Sequence, residues 1–562
     1  MSHRHPVVRV LVVLMTTLAL TLVARQYISA QAEHGHPEWL MNGHDIANTR
    51  SQPFEHRISS RNANQLSPRW TLTTTGDVSA TPAVGWESEK RGNGRGHSEL
   101  FLYFPDWGIP ATPTRASLGG TFWKVNAETG KVAWSHLISD YNGIDGSISR
   151  TSPALALGLV LIGDLNGNMM GIDAATGDLR WKTKLDPNPN TIVTTSPVVH
   201  GDNLYIATSS SGGGVPRMVF RGSMIALDIR TGKIVWQTFV LPDNGGVPGG
   251  FAGGAFVNPP AIDVENGLVF GAAGQLYFQP ASVTACLNAD PDKWDESCFP
   301  GNAHFNSVIA FDLRTGQVRW SFRGAGPDAR LLGCGDPAPS WCPPWENFSV
   351  WDYAGSGVNV FRVGKGKGRK SRLIAGIGQK SGVYWALDAA TGELLWSRLV
   401  GHGDDPGGIQ WGTAVDDKYI YAAIGHNTNA VSYTLKSGQD TRGGSWAALD
   451  PGTGEIVWQT PDPQAAPDPT RPGPPAYRLG VPDLAALTVA NGVLYAGSMA
   501  YTRDQMYALD TSTGEILWRF PAGGSVVAGP AVVDGTVYWG SGYARTGGVG
   551  NDQFFAFSLG GK

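Results

Sequence analysis

Along this chain, short apolar runs end again and again on an acidic or polar residue, pass through Thr-Gly, and resume on a second apolar run. A Trp stands four residues after each of these glycines. The copies are FWKVNAETGKVAW (Trp134), MMGIDAATGDLRW (Trp181), MIALDIRTGKIVW (Trp236), VIAFDLRTGQVRW (Trp320), YWALDAATGELLW (Trp396), AALDPGTGEIVW (Trp458) and MYALDTSTGEILW (Trp518). Each reads as a β-hairpin whose turn takes a side-chain acceptor from Asp or Asn and a positive φ from Gly. The Trp occupies one fixed place on the following strand, where it can pack between neighbouring sheets. Repetition of this kind predicts a stacked or closed array of sheets.

The turn glycines Gly130, Gly177, Gly232, Gly316, Gly392, Gly454 and Gly514 lie 47, 55, 84, 76, 62 and 60 residues apart. The shortest interval suits one four-stranded propeller blade, and the longer ones are blades with inserted loops. An eighth unit assembles from the two ends. TVYWGSG and FFAFSL supply strands near the C-terminus, and LSPRWTL, carrying Trp70, supplies the missing last strand. Pairing them closes the ring and removes its exposed edges. The expectation is an all-β, eight-bladed propeller closed by an N-terminal strand, one domain over residues 33–562.

Composition narrows this further. With 75 Gly, 37 Pro, 20 Trp and 16% charged residues, the chain is turn-rich and tightly packed. A formal net charge of -4 offers no basic face for nucleic acid, and GKGKGRKSR (Lys365 to Arg372) reads as a solvated hairpin loop. Basic residues, an apolar run from Val10 to Ala24 and Ala30-Gln31-Ala32 form an export signal over residues 1–32. The apolar run is short for a membrane span, so a secreted or periplasmic protein is expected rather than an anchored one.

Four cysteines in an exported chain suggest two disulfides. Cys286 and Cys298 are 12 apart, and Cys334 and Cys342 are 8 apart. Local pairing is the simplest of three connectivities. There is no Cys-x-x-Cys-His motif for covalent haem. The Pro-rich stretch from Asp462 to Pro475 reads as an extended excursion.

The repeated ALDaaTGxxxW hairpins resemble those of the pyrroloquinoline quinone (PQQ) dehydrogenases, an eight-bladed propeller family. The resemblance covers the whole mature chain. Longer phrases are similar to the polyvinyl alcohol dehydrogenase branch: DVSATPAV, YFPDWG, ISDYNGIDGSISRTSPA, VFRGSMIALD, QKSGVYWALD and GGIQWGTA. The resemblance implies hydride transfer from a secondary alcohol to PQQ. Such chemistry needs a base for the hydroxyl proton, positive charge at the quinone oxygen and a flat apolar slot.

Candidates for each role come from matching phrases. Asp352, in VWDYAGSGVNV, matches the family's catalytic aspartate, and flanking Trp351 and Tyr353 would desolvate it toward a useful base. Lys380, in GQKSG, matches a basic residue beside the quinone oxygens. Arg150, in SISRTSPA, is placed to pair with a PQQ carboxylate, with Thr151 and Ser152 adding hydroxyls. Trp411, in IQWGTA, is a candidate to lie against the cofactor.

The calcium site of the family is where the match fails. The loop SSSGGGVPRMVFRG carries no carboxylate, and Gln275 stands where Asn is expected. Gln275 and Asp352 make a thin ligand set for calcium, which favours several oxygen donors including carboxylates. Arg217-Met218 replaces a pair of cysteines typical of the branch, and Phe256 and Val257 stand where an indole floor is expected. Either Arg217 substitutes for the metal as the polarising cation, or the site has lost its cofactor. Two functions follow: an exported quinoprotein dehydrogenase passing electrons to an external acceptor such as cytochrome c, or a non-catalytic propeller that binds a partner. The long insertions between Val240 and Ser307 and the segment after Pro461 are the expected pocket walls.

Overall fold

The computed structural model describes residues 37–89, 97–109, 117–211, 219–290, 294–324, 356–364, 371–403, 407–426, 431–472 and 475–562. The export signal, Arg217, Asp352, Cys334 and Cys342 lie outside them. Eight blades, each built on four antiparallel strands, follow one another in chain order, and two carry an extra short strand: Ser51–Gln52 pairs in parallel with Thr488–Ala490 of blade 7, and Gly407–Gly408 pairs with Ile420–His426 of blade 6. Blades 1 to 7 occupy residues 83–137, 154–184, 198–239, 261–323, 358–399, 414–461 and 488–520. Blade 8 combines Ala531–Val533, Thr536–Gly540 and Gln553–Leu559 with the N-terminal strand Leu66–Thr73 as its outermost member. Trp70 pairs there with Ala556. The molecule is thus the expected eight-bladed propeller, closed by its N-terminal strand.

The repeat explains how blades hold one another. The turn Asp accepts hydrogen bonds from the Thr of its own Thr-Gly, as Asp228 does from the Thr231 amide at 2.9 Å and hydroxyl at 2.7 Å. The Gly that follows lies flat on the Trp of the preceding blade. A Cβ on Gly232 would sit 2.3 Å from the Trp181 ring, and one on Gly392 would sit 2.6 Å from Trp320. Each indole then donates to a carbonyl of the next blade: Trp134 to Ala174, Trp181 to Ile229, Trp320 to Ala389 and Trp458 to Thr511. The same bond crosses the closure twice, from Trp518 to Leu66 and from Trp70 to Ala127.

The segment 39–52 runs around the axis and touches the innermost strands in blade order. Trp39 exchanges two backbone bonds with Val84 of blade 1, and Leu40 accepts from Leu155 of blade 2. Ile46, Ala47, Thr49 and Arg50 accept in turn from Ile262, Val360, Val415 and Val489 of blades 4, 5, 6 and 7. Gln52 reaches the Val532 carbonyl of blade 8 through its side chain at 3.0 Å. Blade 3 is met by packing, with Met41 in one apolar cluster with Val198 and Leu204. This segment plugs the axis.

Arg50 anchors the plug. It is fully buried, with Nε donating to the Leu487 carbonyl at 2.6 Å and Nη1 to the backbone and side-chain oxygens of Asn42, both at 2.9 Å. Nη2 donates to the Thr81 hydroxyl at 3.1 Å. Glycine is required opposite, since a Cβ on Gly529 would lie 2.0 Å from Nη2. Burial lowers the Arg50 pKa to about 9, which leaves it cationic at neutral pH.

Two further expectations meet the structure here. Cys286 and Cys298 are bonded, with Cα atoms 5.7 Å apart, tying the helix Ala281–Leu287 to the turn Glu296–Cys298. Strands Val358–Val363 and Arg372–Gly378 pair as a hairpin, and residues 365–370 of the basic run between them lie outside the described residues.

Candidate functional site

Above the plug lies an axial cavity of about 560 Å3, within the range of small-molecule sites. Its wall is built mainly from the residues that precede each innermost strand. These are Ser79 and Thr81 of blade 1, Arg150 and Ser152 of blade 2, Thr194 and Ser196 of blade 3, and Val257 to Pro259 of blade 4. Gln410 and Trp411 of blade 6, Ala486 of blade 7 and Val527 to Gly529 of blade 8 continue the ring, and Asn42 rises from the plug. Lys380 enters from the second turn of blade 5, and Tyr543 and Arg545 from the last loop of blade 8.

Hydroxyls stitch the first three blades to the plug. Ser152 Oγ accepts from the Asn42 side chain at 2.7 Å and from the Thr81 amide at 2.9 Å, while the Ser152 amide donates to Ser196 Oγ at 2.9 Å. Sequence reading singled out Ser152 but not its partners Thr81 and Ser196, although the signal is present in ATPAV, TSPAL and TSPVV, the same hydroxyl-Pro step before successive inner strands.

Arg150 sits in an aromatic cage. Its Cζ is 4.8 Å from the Trp107 ring centroid and 6.0 Å from those of Trp411 and Tyr543, and Nη2 donates to the Tyr543 hydroxyl at 3.3 Å. Burial lowers the pKa of Arg150, and the neighbouring charge of Arg545 adds to that effect. Trp107 is fixed by its Nε1 bond to Ser79 Oγ at 2.9 Å. Trp411 holds φ at 58°, a backbone state costly for a bulky residue and found where surroundings impose it. Its Nε1 and the Thr194 Oγ1 are buried without a hydrogen-bond partner in the structure, on the wall of the same cavity. Buried polar atoms of this kind ordinarily find partners, so their position suits a polar ligand.

Arg150, Lys380 and Trp411, singled out from separate sequence phrases, therefore share one cavity. Thr151 does not line it; the side chain is buried and exchanges hydrogen bonds with the backbone of Gly163. Gln275 is not on the lining either, and its backbone carbonyl accepts from Gly254. Val257 lines the cavity, and Phe256 is buried in the core cluster behind it. The Pro-rich segment expected as a wall contributes no described lining residue. Gln464 and buried Asp462 tie it instead to blades 6 and 7, through Gln464 to the Asp504 carbonyl and the Asp462 amide to the Gly444 carbonyl.

The chemistry of the lining is one-sided. Its charged members are Arg150, Lys380 and Arg545, with no carboxylate among the described residues. No group of three or more His, Cys, Asp or Glu suited to a metal occurs among the described residues. Cations, hydroxyls and a large aromatic face around 560 Å3 fit a planar polycarboxylate such as PQQ. The described residues do not supply the donor set that calcium favours.

Comparison with known proteins places the chain in a family. A family model described as outer membrane protein assembly factor BamB, of the PQQ_2 repeat type, matches residues 62–238, 116–321 and 442–559. A polyvinylalcohol dehydrogenase of a Pseudomonas species is 29% identical over 460 residues, covering 76% of this chain and 65% of that protein. A second, from Sphingopyxis, is 29% identical over 496 residues, covering 79% and 68%. The chain thus spans about two thirds of the length of these relatives. In fold, it superposes on a quinohemoprotein alcohol dehydrogenase of Pseudomonas putida with a TM-score of 0.65 at 19% identity, covering 96% and 82% of the two chains. The enzyme of the same name from Comamonas testosteroni gives 0.63 at 18%, covering 94% and 81%. The chain belongs to this PQQ-repeat propeller family, and the polyvinyl alcohol and quinohemoprotein alcohol dehydrogenases are its relatives.

Proposed function

We propose that the protein is an exported PQQ-dependent dehydrogenase that oxidises a secondary alcohol and passes electrons to an external acceptor of the cytochrome c kind. The observation that carries this reading is the convergence of Arg150, Lys380 and Trp411 on one axial cavity with no described carboxylate. When bound, PQQ supplies an orthoquinone that accepts hydride. Arg150 holds a carboxylate of the cofactor through its planar fork, and the Trp107, Trp411 and Tyr543 cage fixes the guanidinium. Lys380 supplies fixed positive charge toward developing negative charge on oxygen, and Arg217 is the second candidate for that role. Asp352, six positions before the innermost strand of blade 5, takes the hydroxyl proton on its carboxylate. No step is assigned to a metal.

The alternative is a binding propeller without turnover. It is favoured by the lack of a calcium-binding carboxylate in the loop sequence SSSGGGVPRMVFRG and by the assembly-factor description of the matching family. Reconstitution separates the two. The protein is titrated with PQQ, with and without calcium, while its absorbance is followed, and a secondary alcohol is then supplied with an artificial electron acceptor. Stoichiometric binding with alcohol-dependent reduction supports the dehydrogenase; absence of binding under both conditions leaves the binding propeller.

A further inference from the structure

Arg545 has no place in the roles above, yet it approaches the same indole as Arg150. Its Cζ lies 5.3 Å from the Trp107 ring centroid, against 4.8 Å for Arg150. Two guanidiniums on one indole repel each other, and the cavity lining offers no described carboxylate to offset them. The arrangement is nonetheless built. Asp77 accepts from the Ala544 amide at 2.7 Å and the Asn551 amide at 2.9 Å, so its carboxylate fixes the loop that carries Arg545. Within that loop the Tyr543 amide bonds the Val549 carbonyl at 3.0 Å, and the Gly548 amide bonds the Arg545 carbonyl at 2.8 Å. The Tyr543 ring stands edge-on to Trp107 at 5.4 Å and to Trp411 at 6.0 Å.

We propose that Arg150, Trp107 and Arg545 form a two-arginine clamp for one carboxylate of a planar aromatic polycarboxylate, with Arg545 as the outer jaw. Each guanidinium lies over the indole and so keeps N–H groups in its plane to offer an anion, those of Arg150 being the ones beyond the Nη2 bond to the Tyr543 hydroxyl. The proposal rests on the quinoprotein reading for its ligand and adds Arg545 to the binding site. Asp77 acts as a positioning residue, holding the loop from blade 1.

The test uses the full chain and the variants Arg545→Gln and Arg150→Gln, with PQQ and PQQ trimethyl ester as probes in calorimetry. A charge-assisted contact predicts that Arg545→Gln weakens PQQ binding about 10- to 100-fold and leaves the weaker ester binding unchanged. Thermal melting supplies a readout of opposite sign: without ligand Arg545→Gln melts at the wild-type temperature or above, because a repulsion is gone. With saturating PQQ the variant melts below wild type. Unchanged PQQ affinity in Arg545→Gln, or a lower melting temperature without ligand, overturns the clamp. A third probe, pyridine-2,6-dicarboxylate, separates the clamp from the quinoprotein reading. If wild type binds this dianion but not PQQ, and Arg545→Gln loses it, the clamp stands and the quinoprotein reading falls. If wild type binds neither, both fall.

Discussion

Trp518 Nε1 donates to the Leu66 carbonyl at 2.8 Å, across 452 residues of sequence. Leu66 opens the strand that completes blade 8, and its side chain is buried in one apolar cluster with Tyr495, Trp539 and Phe557. The bond that joins consecutive blades elsewhere here joins the two ends of the chain. Deleting residues through Trp70 therefore exposes the Gln553–Leu559 edge, leaves Trp518 without its acceptor and removes the plug with it. The truncated protein is expected to aggregate or to melt at least about 10 °C below the mature form, by calorimetry and light scattering. An unchanged melting temperature would remove the closure argument.

The plug allows a finer cut. Arg50→Met keeps an unbranched apolar stem but strips donors from the Leu487 and Asn42 carbonyls, which remain buried. Loss of hydrogen bonds to a charged group is expected to cost about 2–4 kcal/mol in urea unfolding. Because Asn42 also holds Ser152, ligand binding in the cavity should weaken in the folded fraction. Gly529→Ala tests the same contact from the other side, since its Cβ meets the guanidinium. It should destabilise the protein even though alanine is small.

The disulfide is a local staple. Cys286→Ser with Cys298→Ser removes a cross-link of 12 residues, worth about 3 kcal/mol at most in the chain-entropy model. The double variant is expected to melt lower while its PQQ affinity stays at the wild-type level, because neither residue lines the cavity. Loss of binding would mean that the insertion shapes the site at a distance.

Stability should vary with pH through two buried groups of opposite sign. Burial, then the charges of His402 and Arg442, lower the pKa of His426 to about 3. Between about pH 6.5 and 3 the unfolded chain binds a proton here that the folded chain refuses, so stability falls as pH falls. At pH 5 this amounts to about 2 kcal/mol, and His426→Phe should flatten that limb. Asp483 is shifted the other way, its pKa raised well above the usual carboxylate value by burial and then by the charge of Asp462. The folded chain keeps a proton that the unfolded chain releases, so this contribution declines as pH rises above about 4. Asp483→Asn, neutral at every pH, should raise the melting temperature at pH 7 and above and leave the acid limb in place.

How much of this was legible in sequence depended on how local each cause is. The turn Gly and the Trp four residues later lie within one hairpin, so the blades were readable. Trp70, alone on a strand without its own Thr-Gly turn, revealed the closure. The plug was not readable, because successive residues of 39–52 answer to different blades and no periodicity results. Arg50 illustrates this: nothing in NTRSQ announces a fully buried guanidinium. At the site, Arg150, Lys380 and Trp411 were carried by family phrases, whereas Arg545 was missed because Asp77, which fixes its loop, is 467 residues from Ala544.

The last prediction addresses turnover. If Asp352 is the base, Asp352→Asn preserves shape and removes the proton acceptor. PQQ affinity should survive while the rate with a secondary alcohol falls about 100-fold or more. Lys380→Ala and Arg150→Ala remove cations facing an anionic cofactor, so both should act first on PQQ affinity. Arg217→Ala distinguishes the two ways of polarising the quinone. If Arg217 replaces the metal, the variant loses turnover and added calcium does not restore it. If calcium restores the rate, a metal does the polarising, with Asp352 and Gln275 its candidate ligands. Steady-state kinetics with each purified variant, each titrated with PQQ beforehand, separates lost chemistry from lost cofactor. An Asp352→Asn enzyme of wild-type rate would exclude this residue as the base.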